Sequence, residues 1–163
     1  MKRISRYLIL LLALLSVATS VAALPIGTPA PDFELSNLDG KVFSLGEVPG
    51  ALILLKLGAS WCPGCRQQSL ELQGVEKELQ QRHVSLVDVF LQDTADDVRT
   101  YYRSFGKPVP ELALLGNSQV RDSYQVYAIP RLLLINGSGQ VVFDRGFVGH
   151  AEILELLDEA LDD

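Results

Sequence analysis

The sequence is sparing with the residues that bind metals and form cross-links: it has two cysteines, two histidines and one methionine among 163 residues. A structural zinc site takes four ligands. His83 and His150 lie far apart without paired spacing, which speaks against a metal centre. A basic surplus is missing too, since 14 Lys+Arg face 20 Asp+Glu for a net charge of −6. Lys2, Arg3 and Arg6 crowd the first residues, so the remainder is more acidic still. Without a basic patch, nucleic-acid binding is disfavoured, and the acidity serves solubility. No internal repeat and no low-complexity tract interrupts the chain. Apolar residues, by contrast, make up 48% of it, enough for one compact domain to build a core without staples.

The opening "MKRISRYLILLLALLSVATSVAAL" stands apart from that domain. Basic residues precede an apolar run from Tyr7 to Val17, and small residues follow with Ser20/Ala22 or Val21/Ala23 at cleavage spacing. This is the form of a secretory signal peptide over residues 1–24. The alternative is an uncleaved anchor, because residues 7–24 reach the lower limit for a membrane span. No cysteine lies near the junction, so a lipoprotein anchor is excluded. Either way the domain over 25–163 is expected to be exported, to a bacterial periplasm or the extracytoplasmic face of a membrane. There a cysteine pair can persist as a disulfide.

"GTPAPDFELSNLDGKVFSL" predicts an extended segment and a hairpin turning at Asp39-Gly40. "ALILLKLG" and "VSLVDVFLQ" are near-continuous apolar runs, the mark of strands covered on both faces. A helix is expected from the cysteines to about Arg82, and another over 94–106 with Thr94 as N-cap and Gly106 as its stop. "ELALLG" predicts a strand, Ser118 to Tyr124 a helix, and "RLLLIN", "GSGQ" and "VVFDRGFV" a late hairpin. The last segment carries Ile153, Leu154, Leu157, Ala160 and Leu161 as one helical stripe. The sum is an α/β domain with a mixed central sheet flanked by helices.

Both cysteines fall in "LGASWCPGCRQQ", at the end of a strand and the start of a helix. A thiolate is the working form of cysteine, and the unsatisfied N–H groups and positive dipole end of a helix stabilise it. Cys62 is thus the expected nucleophile and Cys65, one turn further in, the resolving thiol. Pro63 suits the first helical position, where its missing N–H has no partner to lose. An inert disulfide is the competing reading, but so small a loop removes little unfolded-state entropy and staples poorly.

"ASWCPGC", with "PAPDFELSNLDGKVFSL" before it and "YAIPRLLLINGSGQVVFDRGFVGHAEILELL" after it, resembles the TlpA/ResA-like thioredoxin family over Pro29 to Leu161. The resemblance implies a thioredoxin fold with an N-terminal hairpin and an inserted strand-helix unit, here Pro110–Val126. It implies an exported thiol:disulfide oxidoreductase whose only redox group is the Cys62–Cys65 pair, with no cofactor or metal. Trp61, Pro63, Gly64, Ile129 and Pro130 would support the site, the Ile129-Pro130 bond being cis and packed against the cysteines. Expected partners are exported proteins bearing cysteines and a membrane thiol electron donor. Apocytochrome c is one family client.

Departures from the family bear on mechanism. Gln68 stands where many members have a Glu, removing a titrating group, and Leu70 where many have a Pro, which predicts a straighter first helix. Lys56 occupies the strand position where thioredoxins proper bury an Asp. If buried and neutral it can act as a base; if charged it favours a thiolate; the alternative is a side chain that snorkels to the sheet end. Arg131 either attracts an acidic partner or the thiolate, or is a solvated charge. Tyr101, Tyr102 and Phe105 are expected in core and rim, and His150 on the surface. Two rival functions remain at this point: an oxidase or isomerase on the same scaffold, and a non-catalytic binding module. Peroxidase activity is disfavoured because "LGASWC" replaces Pro-x-x-x-Thr-x-x-Cys.

Overall fold

The computed structural model describes residues 24–162. The expected leader lies outside the described residues except for Leu24, whose side chain is buried in the core and whose N–H donates to Asp144 at 2.7 Å. Among the described residues, no helix is long and apolar enough to cross a membrane.

Strands β1 (Glu34–Ser36) and β2 (Val42–Ser44) form the expected hairpin with Leu35 opposite Phe43. Asn37 closes its turn by accepting from the N–H groups of Asp39 and Lys41, and Gly40 supplies the positive φ of 85°. The main sheet contains β3 (Leu52–Gly58), β4 (Val84–Leu91), β5 (Ala113–Gly116), β6 (Arg131–Asn136) and β7 (Val141–Arg145). Their order is β5-β4-β3-β6-β7, with β3, β4 and β5 parallel and β6 and β7 antiparallel to their neighbours. Helices α1 (Pro63–Gly74), α2 (Glu76–Gln81), α3 (Ala95–Arg103), α4 (Ser118–Ser123) and α5 (His150–Asp162) complete the fold. The segment expected as an inserted unit, Pro110–Val126, holds β5, which adds a strand at one edge of the sheet, and α4.

Strand periodicity sorts the core into two layers. Ile53, Leu55 and Leu57 of β3 with Val87 and Val89 of β4 face the hairpin, Tyr124 and Val126. Leu52 and Leu54 face the other way, against Leu72, Val75, Ile153 and Leu157. The same alternation carries Lys56 and Asp88 onto the second face, side by side in the parallel register. The segment before the hairpin and the hairpin's own turn strap the first face: Gly27 bonds to the start of β7 and Ala30 to Gly139 in the turn before it, while Asn37 bridges to Leu114 of β5.

Two expectations need correction here. The single helix expected to run to Arg82 is two, α1 and α2, broken at Val75, so the absence of proline at 70 does not give a long straight helix. Gly74 is a weak helix former, and Val75 turns into the core with 1% exposure while its N–H makes a tight bond to the Leu72 carbonyl. Arg131 is neither solvated nor aimed at a partner. It is buried, its Nε donates to Asp144 Oδ1 at 2.7 Å, and its Nη1 donates to the carbonyls of Tyr124 and Gln125.

Gln68 has a structural task that its type makes possible. It is fully buried on α1, its Nε2 donates to the Val148 carbonyl at 2.9 Å, and its Oε1 accepts from the Val148 N–H at 2.8 Å. This ties α1 to the connection between β7 and α5. Gln68→Glu is expected to lose about 1–3 kcal/mol at neutral pH, because a carboxylate cannot donate to Val148 and is desolvated there. Burial raises the folded-state carboxyl pKa above its unfolded value. The deficit should therefore shrink as pH falls and the acid form regains a donor, which chemical denaturation at neutral and acid pH would measure.

Candidate active site

The sheet delivers the CxxC to the C-terminal end of its central strand, as open α/β sheets do with their ligand sites. β3 ends at Gly58, and the turn after it is fixed by Asp93, which accepts from the Ser60 N–H at 2.9 Å and from its hydroxyl at 2.5 Å. Cys62 is the N-cap of α1 in extended conformation, with Pro63 at the first helical position. Its Sγ accepts from the Cys65 N–H at 3.1 Å, so a free helix N–H points at this sulfur. The second contact of Cys62 is the Ile129 carbonyl, 3.8 Å away. Both cysteines are thiols in this structure.

Ile129-Pro130 is cis and lies against the site. A methyl group on Gly64 would stand 3.2 Å from Pro130 Cδ, so glycine is what lets the proline ring approach the helix start. Trp61 projects into solvent at 64% exposure, beside a Cys62 that retains a small exposed edge. Every site residue expected from sequence is thus in one place: Trp61, Cys62, Pro63, Gly64 and Cys65 on the turn and helix, with Ile129 and Pro130 across from them.

Lys56 lies beneath them, and the snorkelling alternative is overturned: the residue is fully buried. Its Nζ donates to both oxygens of Asp88, at 2.8 and 2.9 Å, and sits 5.0 Å from the Phe90 ring centroid. The Tyr102 hydroxyl donates to Asp88 Oδ2 at 2.8 Å. A methyl on Gly58 would meet Cys65 Sγ at 3.1 Å and Lys56 Cε at 3.5 Å, so one missing side chain lets the sulfur and the lysine stem converge. The Tyr101 hydroxyl donates to the Cys65 carbonyl at 3.2 Å and lies 2.8 Å from the Ser69 hydroxyl. Sequence reasoning singled out Lys56 but not Asp88. The available signal was an acid in the middle of the apolar run "VSLVDVFLQ", where an unpartnered charge is costly.

Charge follows from this packing. Burial alone would push the Lys56 ammonium down, but the Asp88 carboxylate overrides it and holds the amine above its ordinary range. The buried lysine is therefore a cation at rest. Burial pushes the Cys65 thiol up to about 12, the hydrogen bond with Cys62 adds to this, and the Ala59 backbone and Lys56 act in the opposite direction. In the Cys62→Ser variant burial remains, so Cys65 is expected to resist iodoacetamide across neutral pH and to gain reactivity only at alkaline pH. Mass spectrometry of the alkylated chain checks it.

A mixed sheet with the CxxC at the head of α1 and a cis-proline facing it defines a thioredoxin-fold protein with a dithiol site. Residues 26–143 match the AhpC/TSA family, and the chain belongs to it. It is similar to the thiol-disulfide oxidoreductase ResA of Bacillus subtilis, at 29% identity over 116 residues, or 71% of this chain. The match spans 64% of that relative's length. Among solved structures it resembles a putative thiol:disulfide interchange protein DsbE from Chlorobium tepidum, with a TM-score of 0.69 and 26% identity over 85% of this chain and 98% of that one. It also resembles the exposed lipoprotein thioredoxin Etrx1 of Streptococcus pneumoniae, with a TM-score of 0.64 and 27% identity over 79% of this chain and 99% of that one. Among the described residues, no group of three or more His, Cys, Asp or Glu side chains is placed to hold a metal.

Proposed function

We propose that the protein is an exported thiol:disulfide oxidoreductase that works as a reductase. The observation that carries the reading is Cys62 Sγ at the head of α1, accepting from the Cys65 N–H, with Cys65 directly beneath it. The Cys62 thiolate attacks a disulfide in a client protein, forming a mixed disulfide and releasing one client thiolate. Cys65 then gives up its proton and attacks Cys62, leaving the Cys62–Cys65 disulfide and the second client thiol. The Ile129 backbone beside the sulfurs offers an extended client chain an edge to pair with. The resemblance of the site to thiol-disulfide oxidoreductases and the leader-like first 24 residues support an extracytoplasmic place of work. Such a compartment oxidises thiols, so a membrane thiol donor must restore the dithiol. Apocytochrome c or other exported cysteine proteins are the proposed clients.

The test is the reduction potential, read from Trp61 fluorescence across a dithiol/disulfide buffer series. A value near or below about −270 mV supports the reductase reading. A value near −120 mV makes the protein an oxidant and overturns it.

A further inference from the structure

The hydrogen bond from the Leu24 N–H joins the first described residue to a deeply buried carboxylate. The Asp144 side chain is 1% exposed. Its Oδ1 accepts from Arg131 Nε at 2.7 Å, while its Oδ2 accepts from Arg131 Nη2 and, at 2.7 Å, from the Leu24 N–H. A carboxylate offers about four acceptor positions, so these three donors leave one open. The Leu24 side chain is itself buried, in the layer that holds the hairpin. Arg145, the next residue on β7, is exposed and paired with Glu152 at 3.1 Å instead. One backbone nitrogen thus sits in a built anionic site.

That nitrogen falls at one of the two cleavage positions of the leader-like segment. Hydrolysis after Ala23, with Val21 and Ala23 at the required spacing, makes Leu24 the first residue. The burial of Leu24 also weighs against a retained anchor. With Leu24 in the core, residues 7–23 remain for a span, about 17 positions or roughly 26 Å as a helix. The hydrocarbon layer is about 30 Å thick, and no residue is left over as a linker between lipid and domain.

We propose that Asp144, held by Arg131, is a docking site for the α-ammonium group of Leu24, created when a leader peptidase hydrolyses the Ala23–Leu24 bond. The proposal rests on the export reading given above. Water is the co-reactant. Its oxygen joins the Ala23 carbonyl carbon as the C–N bond breaks, and its two protons end on the Leu24 nitrogen, giving a carboxylate and an ammonium. Hydrolysis precedes folding, because Leu24 is buried in the folded domain. On folding, the ammonium takes the place of the amide N–H, and a second of its donors fills the open position on Asp144. The bond becomes charge-assisted, roughly twice as strong as a neutral one. Asp144 is then shared between two cations, and one of them, Arg131, directly follows the cis Ile129-Pro130 bond. Removal of the leader therefore adds a hold on the segment that faces the cysteines.

The full-length chain is expressed with its own leader in a bacterial host, and the product is weighed intact by mass spectrometry. A chain beginning at Leu24 is expected. An exported chain that begins elsewhere overturns the docking site and spares export. A product that keeps residues 1–23 overturns the site and leaves the anchor, and a chain found only in the cytoplasm removes the export reading itself. The chain beginning at Leu24 is then treated at neutral pH with an acetylating ester that reacts with free amines. Labelling of its α-amine is expected to be at least about tenfold slower than in a peptide of the same first residues, because a carboxylate in contact favours the charged form. Asp144→Asn keeps an acceptor and removes the charge, so labelling should rise toward the peptide's rate. Peptide-like labelling of the wild type, or labelling equally slow in a folded Asp144→Asn, overturns the site. If circular dichroism shows Asp144→Asn unfolded, the thermal midpoint decides. The chain beginning at Leu24 should melt about 3 °C above one made to begin at Ala23, and equal midpoints overturn the site.

Discussion

Replacing Cys62 with Ala is expected to abolish disulfide exchange, with turnover of a model disulfide falling by at least about a thousandfold. Cys65 cannot substitute. It is fully buried under α1, and burial, the leading cause of its raised thiol pKa, persists in the variant, so little of it is thiolate at neutral pH. Cys65→Ser should behave differently. Cys62 would still attack, and the client would remain attached as a mixed disulfide, recoverable on non-reducing gels and released by dithiothreitol. Exchange that persists in Cys62→Ala would show that the chemistry lies elsewhere. A Cys65→Ser protein that captures no cysteine-bearing client would favour a surface that binds without exchanging.

The second large effect is on stability. Arg131→Met leaves Asp144, 1% exposed as a side chain, without its guanidinium, and strips the Tyr124 and Gln125 carbonyls of their donor. Removing one partner of a buried ion pair costs about 3–5 kcal/mol, because the remaining charge is stranded in a low dielectric. For a domain of this size that corresponds to a midpoint roughly 10–15 °C lower in thermal denaturation. The double variant Arg131→Met, Asp144→Leu should recover most of the loss, since replacing both charges by apolar groups is often neutral. A single variant that melts with the wild type would mean the pair contributes nothing net. Arg131 directly follows Pro130, so its loss also frees the loop that presents the proline to the cysteines. Exchange activity should fall in parallel with the midpoint.

Much of the site could be read before any coordinates because its parts are local. Cys62, Pro63 and Cys65 lie within four positions, and a strand run followed by a proline at a helix start fixes their geometry through hydrogen bonds of the backbone alone. The apolar runs of β3 and β4 and the stripe of α5 follow from periodicity in the same way. What stayed hidden depends on register between distant segments. Lys56 meets Asp88 because two strands pair in parallel at that offset. Gln68 meets Val148 across 80 positions, and Arg131 meets Asp144 across a hairpin whose bulge near Ile135 shifts the pairing. In each case one polar residue was visible, but the partner that decides its charge or role was not. The break at Val75 was missed for a related reason. Local preference allowed one helix through 63–82, and the chance to bury Val75 against the sheet ended it.

The strap formed by residues 27–37 has a meaning beyond covering one face. It touches both outer strands, bonding Gly27 to the start of β7 and Ala30 to the turn before it, and joining Asn37 to Leu114 of β5. An outer strand with free N–H and C=O groups is a template for another chain. By occupying part of each border, the strap acts as a guard against sheet-to-sheet growth between copies of the chain. Both ends of the sheet are thus partly closed, while the cysteines at the head of α1 stand clear of the strap.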